Sequence, residues 1–223
     1  NNLFYGARYY GFNNGMMAVL LATSIVSYLF IREFMHNGLI ANLLYFSMAC
    51  MNIVLLSARF GANTGGFITA SSLLLLIIYN KLLKKNGNLR TLIFLVLFGF
   101  IIFGINMYFD ILNDEKSHAI SFLIRVKEYG ASEFFSMALI KLKELLRLTV
   151  IPPFSIAIVS QLYSIKFLCK KVDKKFAEDA MVIFIVSIVG FMMNDTGNIA
   201  FIFMNHFLIS LLLDRYLNSS LFI

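Results

Sequence analysis

Residues 92–104 read LIFLVLFGFIIFG, and residues 73–79 read LLLLIIY. Neither run carries polar residues at the 3.6-residue period that marks the solvent-facing side of a helix in a soluble bundle. Similar apolar blocks recur along the chain, each close to the roughly 20 residues that an α-helix needs to cross the hydrocarbon core of a bilayer. The sequence therefore predicts an all-α fold, a polytopic bundle of transmembrane helices.

Seven spanning helices and one insertion are predicted within a single transmembrane domain over residues 1–223. The predicted spans are residues 14–32, 39–58, 64–82, 90–109, 150–168, 178–194 and 198–216. Residues 110–149 interrupt the series with several charges and are predicted to form an amphipathic, extracellular helical insertion. Because the chain starts without a Met or a signal-peptide pattern, we expect it to be part of a longer polytopic protein.

Two local patterns refine this layout. Residues 132–148 of the insertion place large apolar side chains near one face of a helix, which favours a position on the membrane surface or against the bundle. Those apolar residues are Phe135, Leu139, Leu142 and Leu146. Pro152 and Pro153 are predicted to form the first turn of the next span, where a missing N–H group costs little.

The composition supports a membrane protein. Of the 223 residues, 60% are hydrophobic and 14% are charged, against roughly 45–50% and about 25% in soluble domains. The net charge of +7 comes from basic residues beside the apolar blocks, so we expect the lipid bilayer, and no nucleic acid, as the partner. Cys50 and Cys169 form no disulfide or metal-binding pattern. No phosphate-loop or dinucleotide motif is present either, so no metal and no cofactor is expected.

Lysine placement predicts the orientation. One short loop carries Lys81, Lys84 and Lys85, and residues 166–175 hold five more lysines. Two predicted spans separate these loops, so both face the same side, which the positive-inside rule makes cytoplasmic. The chain is accordingly predicted to be a multi-pass protein of the cell membrane.

Three polar, glycine-rich motifs interrupt the apolar pattern: GARYYGFNN at residues 6–14, SARFGANTGG at 57–66 and NDTGN at 194–198. Each lies at a helix end, and span counting puts all three on the non-cytoplasmic side. Glycine lets a backbone approach a ligand closely, and arginine offers a planar fork of donors suited to phosphate. We predict that these motifs line one cavity, with Asp195 as the catalytic residue. The predicted substrate-binding residues are Arg8, Tyr10, Asn13, Asn14, Arg59, Asn63 and Asn194.

Each motif also has a purely structural interpretation. Arg8 and Arg59 suit interfacial anchors that extend their guanidinium groups to lipid headgroups. Gly65 and Gly66 suit close helix packing. Residues 194–197 suit a tight turn whose Asp or Thr caps the next helix. These alternatives remain open from the sequence.

In their order and spacing, the motifs resemble those of a family of uncharacterised bacterial polytopic membrane proteins, with the signatures GARYYGxGNE, GANxGGT and NDSG. The resemblance covers nearly the whole chain. Two departures stand out, because Gly15 occupies the place of the family's glutamate and Asn13 that of a glycine. If that glutamate is catalytic in relatives, this chain is inactive or works differently.

A looser resemblance is to O-antigen ligases and polymerases, through Arg8, Gly11–Asn13 as a helix entry, the helix end at 57–59 and the insertion at 110–149. This resemblance implies glycosyl transfer from polyprenyl-diphosphate carriers at the outer face of the membrane. Arg8 and Arg59 would then hold the diphosphate of the glycan precursor, and Asp195 would act as base or orienting group. A transporter or translocation subunit, and a membrane anchor without catalysis, are the alternatives.

Overall fold

A computed structural model describes residues 11–35, 37–83, 89–112, 118–194 and 196–220. Within these ranges the chain forms nine α-helices, one π-helical segment (Tyr79–Leu83) and no strand. The α-helices are α1 (Asn14–Phe34), α2 (Gly38–Leu56), α3 (Thr64–Ile78), α4 (Leu89–Ile111), α5 (His118–Tyr129), α6 (Ala131–Val150), α7 (Phe154–Leu168), α8 (Lys174–Met193) and α9 (Gly197–Ser220). The predicted all-α class is confirmed.

Five helices are long and apolar enough to cross a membrane: α1, α2, α4, α8 and most of α9. The structure therefore fits a membrane protein with several transmembrane helices. The other two predicted spans correspond to shorter elements. α3 has 15 residues and runs directly into the 5-residue π-helical segment, and α7 has 15 residues. The count of seven spans stays a prediction.

The predicted role of the proline pair is wrong in detail. α6 runs to Val150, and α7 begins at Phe154, so Pro152 and Pro153 precede the helix rather than form its first turn. A residue before proline is held out of the α region by the proline ring. Ile151 is accordingly extended, with φ −74° and ψ 127°, and Pro153 becomes the N-cap. The predicted span at 150–168 therefore loses its first four residues.

The core is organised around one face of α1. Met17, Leu21, Ile25 and Leu29 recur every four residues and are at most 2% exposed, so they form a continuous ridge along the helix. The ridge belongs to a core cluster that includes buried residues of α2, α3, α8 and α9. Small side chains such as Ala22 belong to the same cluster and let the helices approach closely.

The bundle has two polar ends. At one, which we call the asparagine end, Asn14 at the start of α1 is bonded to Thr196 just before α9. At the other, the lysine end, Arg32 near the end of α1 pairs with Asp179 near the start of α8 at 2.6 Å. Lys81 lies there too, with its ammonium 5.4 Å from the Tyr28 ring. α1 connects to α2, and α7 to α8, at the lysine end, whereas α2 connects to α3, and α8 to α9, at the asparagine end.

α4 and α6 differ from the core helices in exposure. Large side chains of α4 such as Leu97 and Phe100 are 58% and 68% exposed, which suits a lipid-facing helix. α6 contains the predicted amphipathic segment 132–148. Its four predicted apolar residues are all exposed, at 53–70%: Phe135, Leu139, Leu142 and Leu146. The extracellular position of the insertion stays a prediction.

Candidate functional site

The predicted site residues that the structure describes all lie at the asparagine end. They are Asn13, Asn14, Arg59, Asn63 and Asn194. Arg8, Tyr10 and Asp195 lie outside the described residues. The binding roles of the whole set stay predictions.

Asn63 links two motifs. It is 2% exposed and is the N-cap of α3, with its Oδ1 accepting from the Gly66 N–H at 2.7 Å. Its Nδ2 donates to the Phe12 carbonyl at 2.9 Å and to Asn14 Oδ1 at 3.3 Å. One amide therefore fixes the start of α3 and ties it to the chain entering α1.

Asn14 extends this connection to the third motif. Its Nδ2 donates to the hydroxyl of Thr196 at 2.8 Å, across 182 residues of sequence. Asn13, the N-cap of α1, instead accepts from the Met16 N–H at 2.8 Å and is exposed. A chain of side-chain hydrogen bonds thus joins the starts of α3, α1 and α9.

Asn194 closes the cluster from the side of α8. Its Nδ2 donates back to the Gly190 carbonyl at 2.8 Å and so caps the end of that helix. A Cβ atom on Gly65 would lie 2.4 Å from Asn194 Oδ1 and 2.7 Å from the Met193 carbonyl oxygen. Only glycine fits at position 65 without displacing the end of α8.

The loop between α2 and α3 carries Arg59 and is held tightly. The Gly61 carbonyl accepts from the Phe12 N–H at 2.8 Å. Gly11 has φ +85°, and a Cβ there would lie 2.3 Å from the Gly61 oxygen. Ala62 has φ +47°, a left-handed conformation that costs a non-glycine residue on the order of 1 kcal/mol. Arg59 is exposed on this strained and anchored loop.

The helix ends contribute partial charges to the electrostatic potential of this region. The N-termini of α1, α3 and α9 meet here, and each carries a partial positive charge on N–H groups that lack intrahelical partners. The ends of α2 and α8 are also present, but some of their carbonyls are already bonded. Ser57 donates its backbone N–H and its hydroxyl to the Val54 carbonyl of α2, at 3.2 and 2.7 Å. The region therefore combines partial positive charge at three helix N-termini with the ends of α2 and α8, whose carbonyls are in part already bonded.

Two residues of this region escaped prediction. Thr196 lies in the third motif, but only the folded chain shows that it accepts from Asn14. Asn106 of α4 accepts from the Ala58 N–H at 3.1 Å and so holds the Arg59 loop. A polar residue inside an apolar span is the signal that marks it.

Neither a metal site nor a known relative adds to this geometry. Among the described residues, no group of three His, Cys, Asp or Glu side chains could hold a metal ion. No protein-family model, curated protein or solved structure matches the chain. The two resemblances based on the motifs therefore stay predictions.

Proposed function

We propose that this chain binds a phosphate-bearing, lipid-linked glycan precursor of the polyprenyl-diphosphate type at the asparagine end, and takes part in glycosyl transfer at the outer face of the cell membrane. One observation carries the proposal: Arg59 is exposed on a rigidly held loop beside three converging helix N-termini. Hydrogen-bond donors and positive charges that are held in place stabilise a bound diphosphate, and they also stabilise the negative charge that develops when the diphosphate departs as a leaving group.

The choice of arginine supports a phosphate ligand. A guanidinium presents a planar fork that engages two phosphate oxygens at once, whereas an ammonium acts as a point charge. The left-handed Ala62 lies three residues from Arg59, and strained backbone of this kind clusters at ligand sites. A loop that is anchored by Phe12 and Asn106 loses little entropy when it holds a ligand.

Exposed apolar side chains at the same end support a lipid carrier. Phe60 is 56% exposed next to Arg59, and Met16 is 54% exposed in the first turn of α1. Met193, whose carbonyl contacts Gly65, is 45% exposed. A ligand with a charged diphosphate and a long apolar chain matches this combination better than a small soluble anion does. In this proposal, Asp195 serves as base or orienting group.

The experiment measures binding of a short-chain polyprenyl-diphosphate analogue to the purified protein in neutral detergent. Arg59→Lys keeps the positive charge but loses the planar fork of the guanidinium. We expect the affinity for the analogue to fall about tenfold, because one charge-assisted hydrogen bond to the diphosphate is lost. Arg90→Lys, on an exposed arginine at the start of α4 at the lysine end, is the matched control and should bind normally. An Arg59→Lys variant that binds as tightly as the unmodified protein refutes the proposal.

A second candidate, transport of a polar solute, is favoured by a different observation. Five buried amide atoms lack hydrogen-bond partners among the described residues: Asn106 Nδ2 of α4, Gln161 Oε1 of α7, Asn205 Oδ1 and both amide atoms of Asn198. Asn198 and Asn205 belong to α9, which packs against α7. Gln161 donates to the carbonyl of Ile202, halfway between the two asparagines. Unsatisfied buried groups of this kind need water or a polar ligand.

Transport is tested by solute uptake into proteoliposomes. Asn205→Leu replaces the buried amide, while Asn218→Leu changes an exposed asparagine of the same helix. Under the transport candidate, uptake falls in the first variant and persists in the second. Equal uptake in both variants, with diphosphate binding intact, leaves glycan handling as the function.

A further inference from the structure

The turn between α7 and α8 forms a groove at the lysine end, away from the site proposed above. The groove is broad and open, with a volume of about 640 Å³, within the range of ligand-binding clefts. Its apolar surface includes Cys169, Val172, Ala177 and Met181, and its charged lining consists of Lys170, Lys174 and Glu178. Partial burial raises the pKa of the Cys169 thiol, so this side chain is an uncharged part of the surface at neutral pH.

Lysines dominate the charge around this groove. Residues 166–178 contain five lysines against two acids, Asp173 and Glu178. Asp173 is already engaged as the N-cap of α8, where it accepts from the Phe176 N–H at 3.0 Å. None of the five lysines takes part in an ion pair within the described part of the chain. The excess positive charge is therefore not neutralised by the protein itself.

An exposed apolar ridge leads along α7 to these lysines. Val159, Tyr163 and Phe167 follow one another at four-residue spacing and are 65%, 72% and 47% exposed, so they lie on one face of the helix. The ammonium of Lys171 lies 5.7 Å from the centre of the Phe167 ring. The ridge therefore ends where the positive charge begins.

We propose that this groove is a binding site for an anionic phospholipid, whose acyl chains lie along the α7 ridge and whose headgroup phosphate contacts Lys170, Lys171 and Lys174. An apolar track that ends in uncompensated ammonium groups is complementary to a lipid with a net negative headgroup. It is not complementary to a zwitterionic lipid, whose own cation meets the lysines. Juxtamembrane lysine clusters attract anionic lipids by about fivefold in affinity for each lysine.

The test titrates the purified full chain in neutral detergent with short-chain phosphatidylglycerol or phosphatidylcholine and counts bound lipids by native mass spectrometry. We expect one phosphatidylglycerol to bind at least tenfold more tightly than phosphatidylcholine. The triple variant Lys170→Gln, Lys171→Gln, Lys174→Gln should lose this preference, with affinity reduced on the order of a hundredfold. Inorganic phosphate at millimolar concentration should not displace the lipid, because it cannot use the ridge.

A matched triple variant separates this site from general surface charge. Lys127→Gln, Lys143→Gln, Arg147→Gln removes three exposed basic groups from α5 and α6 and should leave phosphatidylglycerol binding unchanged. The proposal is overturned by equal affinity for the two lipids, by an equal loss in both triple variants, or by displacement with free phosphate. Diphosphate-analogue binding, measured on the same variants, should persist in both, so failure here is distinct from failure of the function proposed at the asparagine end.

Discussion

Replacing Gly65 by alanine tests whether the second and third motifs meet as described. The new Cβ would lie 2.7 Å from the Met193 carbonyl oxygen and 2.4 Å from Asn194 Oδ1, where ordinary contacts begin at 3.4 Å. The carbonyl belongs to the backbone of α8 and cannot rotate away. The start of α3 and the end of α8 must therefore separate by about 0.7 Å, the difference between 3.4 and 2.7 Å.

The cost follows from known effects of overpacking. Forcing one extra carbon into a closely packed contact costs about 1–3 kcal/mol. If Asn194 turns away instead, its 2.8 Å hydrogen bond to Gly190 is lost, at roughly 1 kcal/mol. Alanine gains up to about 1 kcal/mol over glycine in helix propensity. The net expectation is a loss of about 2 kcal/mol.

Thermal unfolding in neutral detergent measures this loss, as a fall in Tm of about 4–8 °C for a chain of this size. Gly104→Ala is the control, because a Cβ there meets nothing within 4 Å, and it should unfold at the same temperature or slightly higher. If Gly65→Ala unfolds with or above Gly104→Ala, the contact between α3 and α8 is not as described, and the convergence of the motifs fails.

Three further predictions follow from the same end of the bundle and its orientation. Ala62→Gly removes the cost of the left-handed φ of +47° and should stabilise the protein by up to about 1 kcal/mol in the same unfolding assay; a destabilised variant would contradict this. Asn63→Ala removes the α3 cap and leaves the Phe12 carbonyl without its donor, so stability should fall by about 2–3 kcal/mol, and an unchanged Tm would refute it. In a background without native cysteines, Asn13→Cys and Lys171→Cys should react with a membrane-impermeant maleimide from opposite sides of the membrane, and labelling from one side only would disprove the span layout.

Helix limits could be predicted well because they depend on local signals. The apolar blocks are bounded by caps such as Asn13 and Asn63, and the predicted start of α1 at residue 14 is correct. The start of α7 was missed by four residues, because Pro153 constrains Pro152 and Pro152 constrains Ile151. The start of α8 was also missed by four residues: Asp173 caps this helix, so its first turn is charged and precedes the apolar block that was predicted to begin at 178. At 15 residues each, α3 and α7 are shorter than the five helices that are long and apolar enough to cross a membrane.

Contacts between helices could be predicted only as far as the shared end. Span counting puts the three motifs at one end, but it does not say that Asn14 meets Thr196, 182 residues away. The pair of Arg32 with Asp179 spans 147 residues and joins two helices that are far apart in sequence. Hydrophobic period fixes which face of a helix is buried, not which helix covers it, so such pairs become visible only in the folded bundle.

The central claim is that a lipid-linked diphosphate binds at the asparagine end, and photo-crosslinking tests it most directly. A polyprenyl-diphosphate analogue with a diazirine in its first isoprene unit is bound to the protein and irradiated. The residues that it modifies are then located by peptide mass spectrometry. If the diphosphate binds there, modification concentrates in residues 57–63, beside Arg59, and disappears when an excess of the polyprenyl diphosphate without the diazirine is added. The lysine-end groove is first removed by the triple variant Lys170→Gln, Lys171→Gln, Lys174→Gln. Modification of that variant that spares residues 57–63, or that spreads along all lipid-facing helices without competition, would contradict the claim.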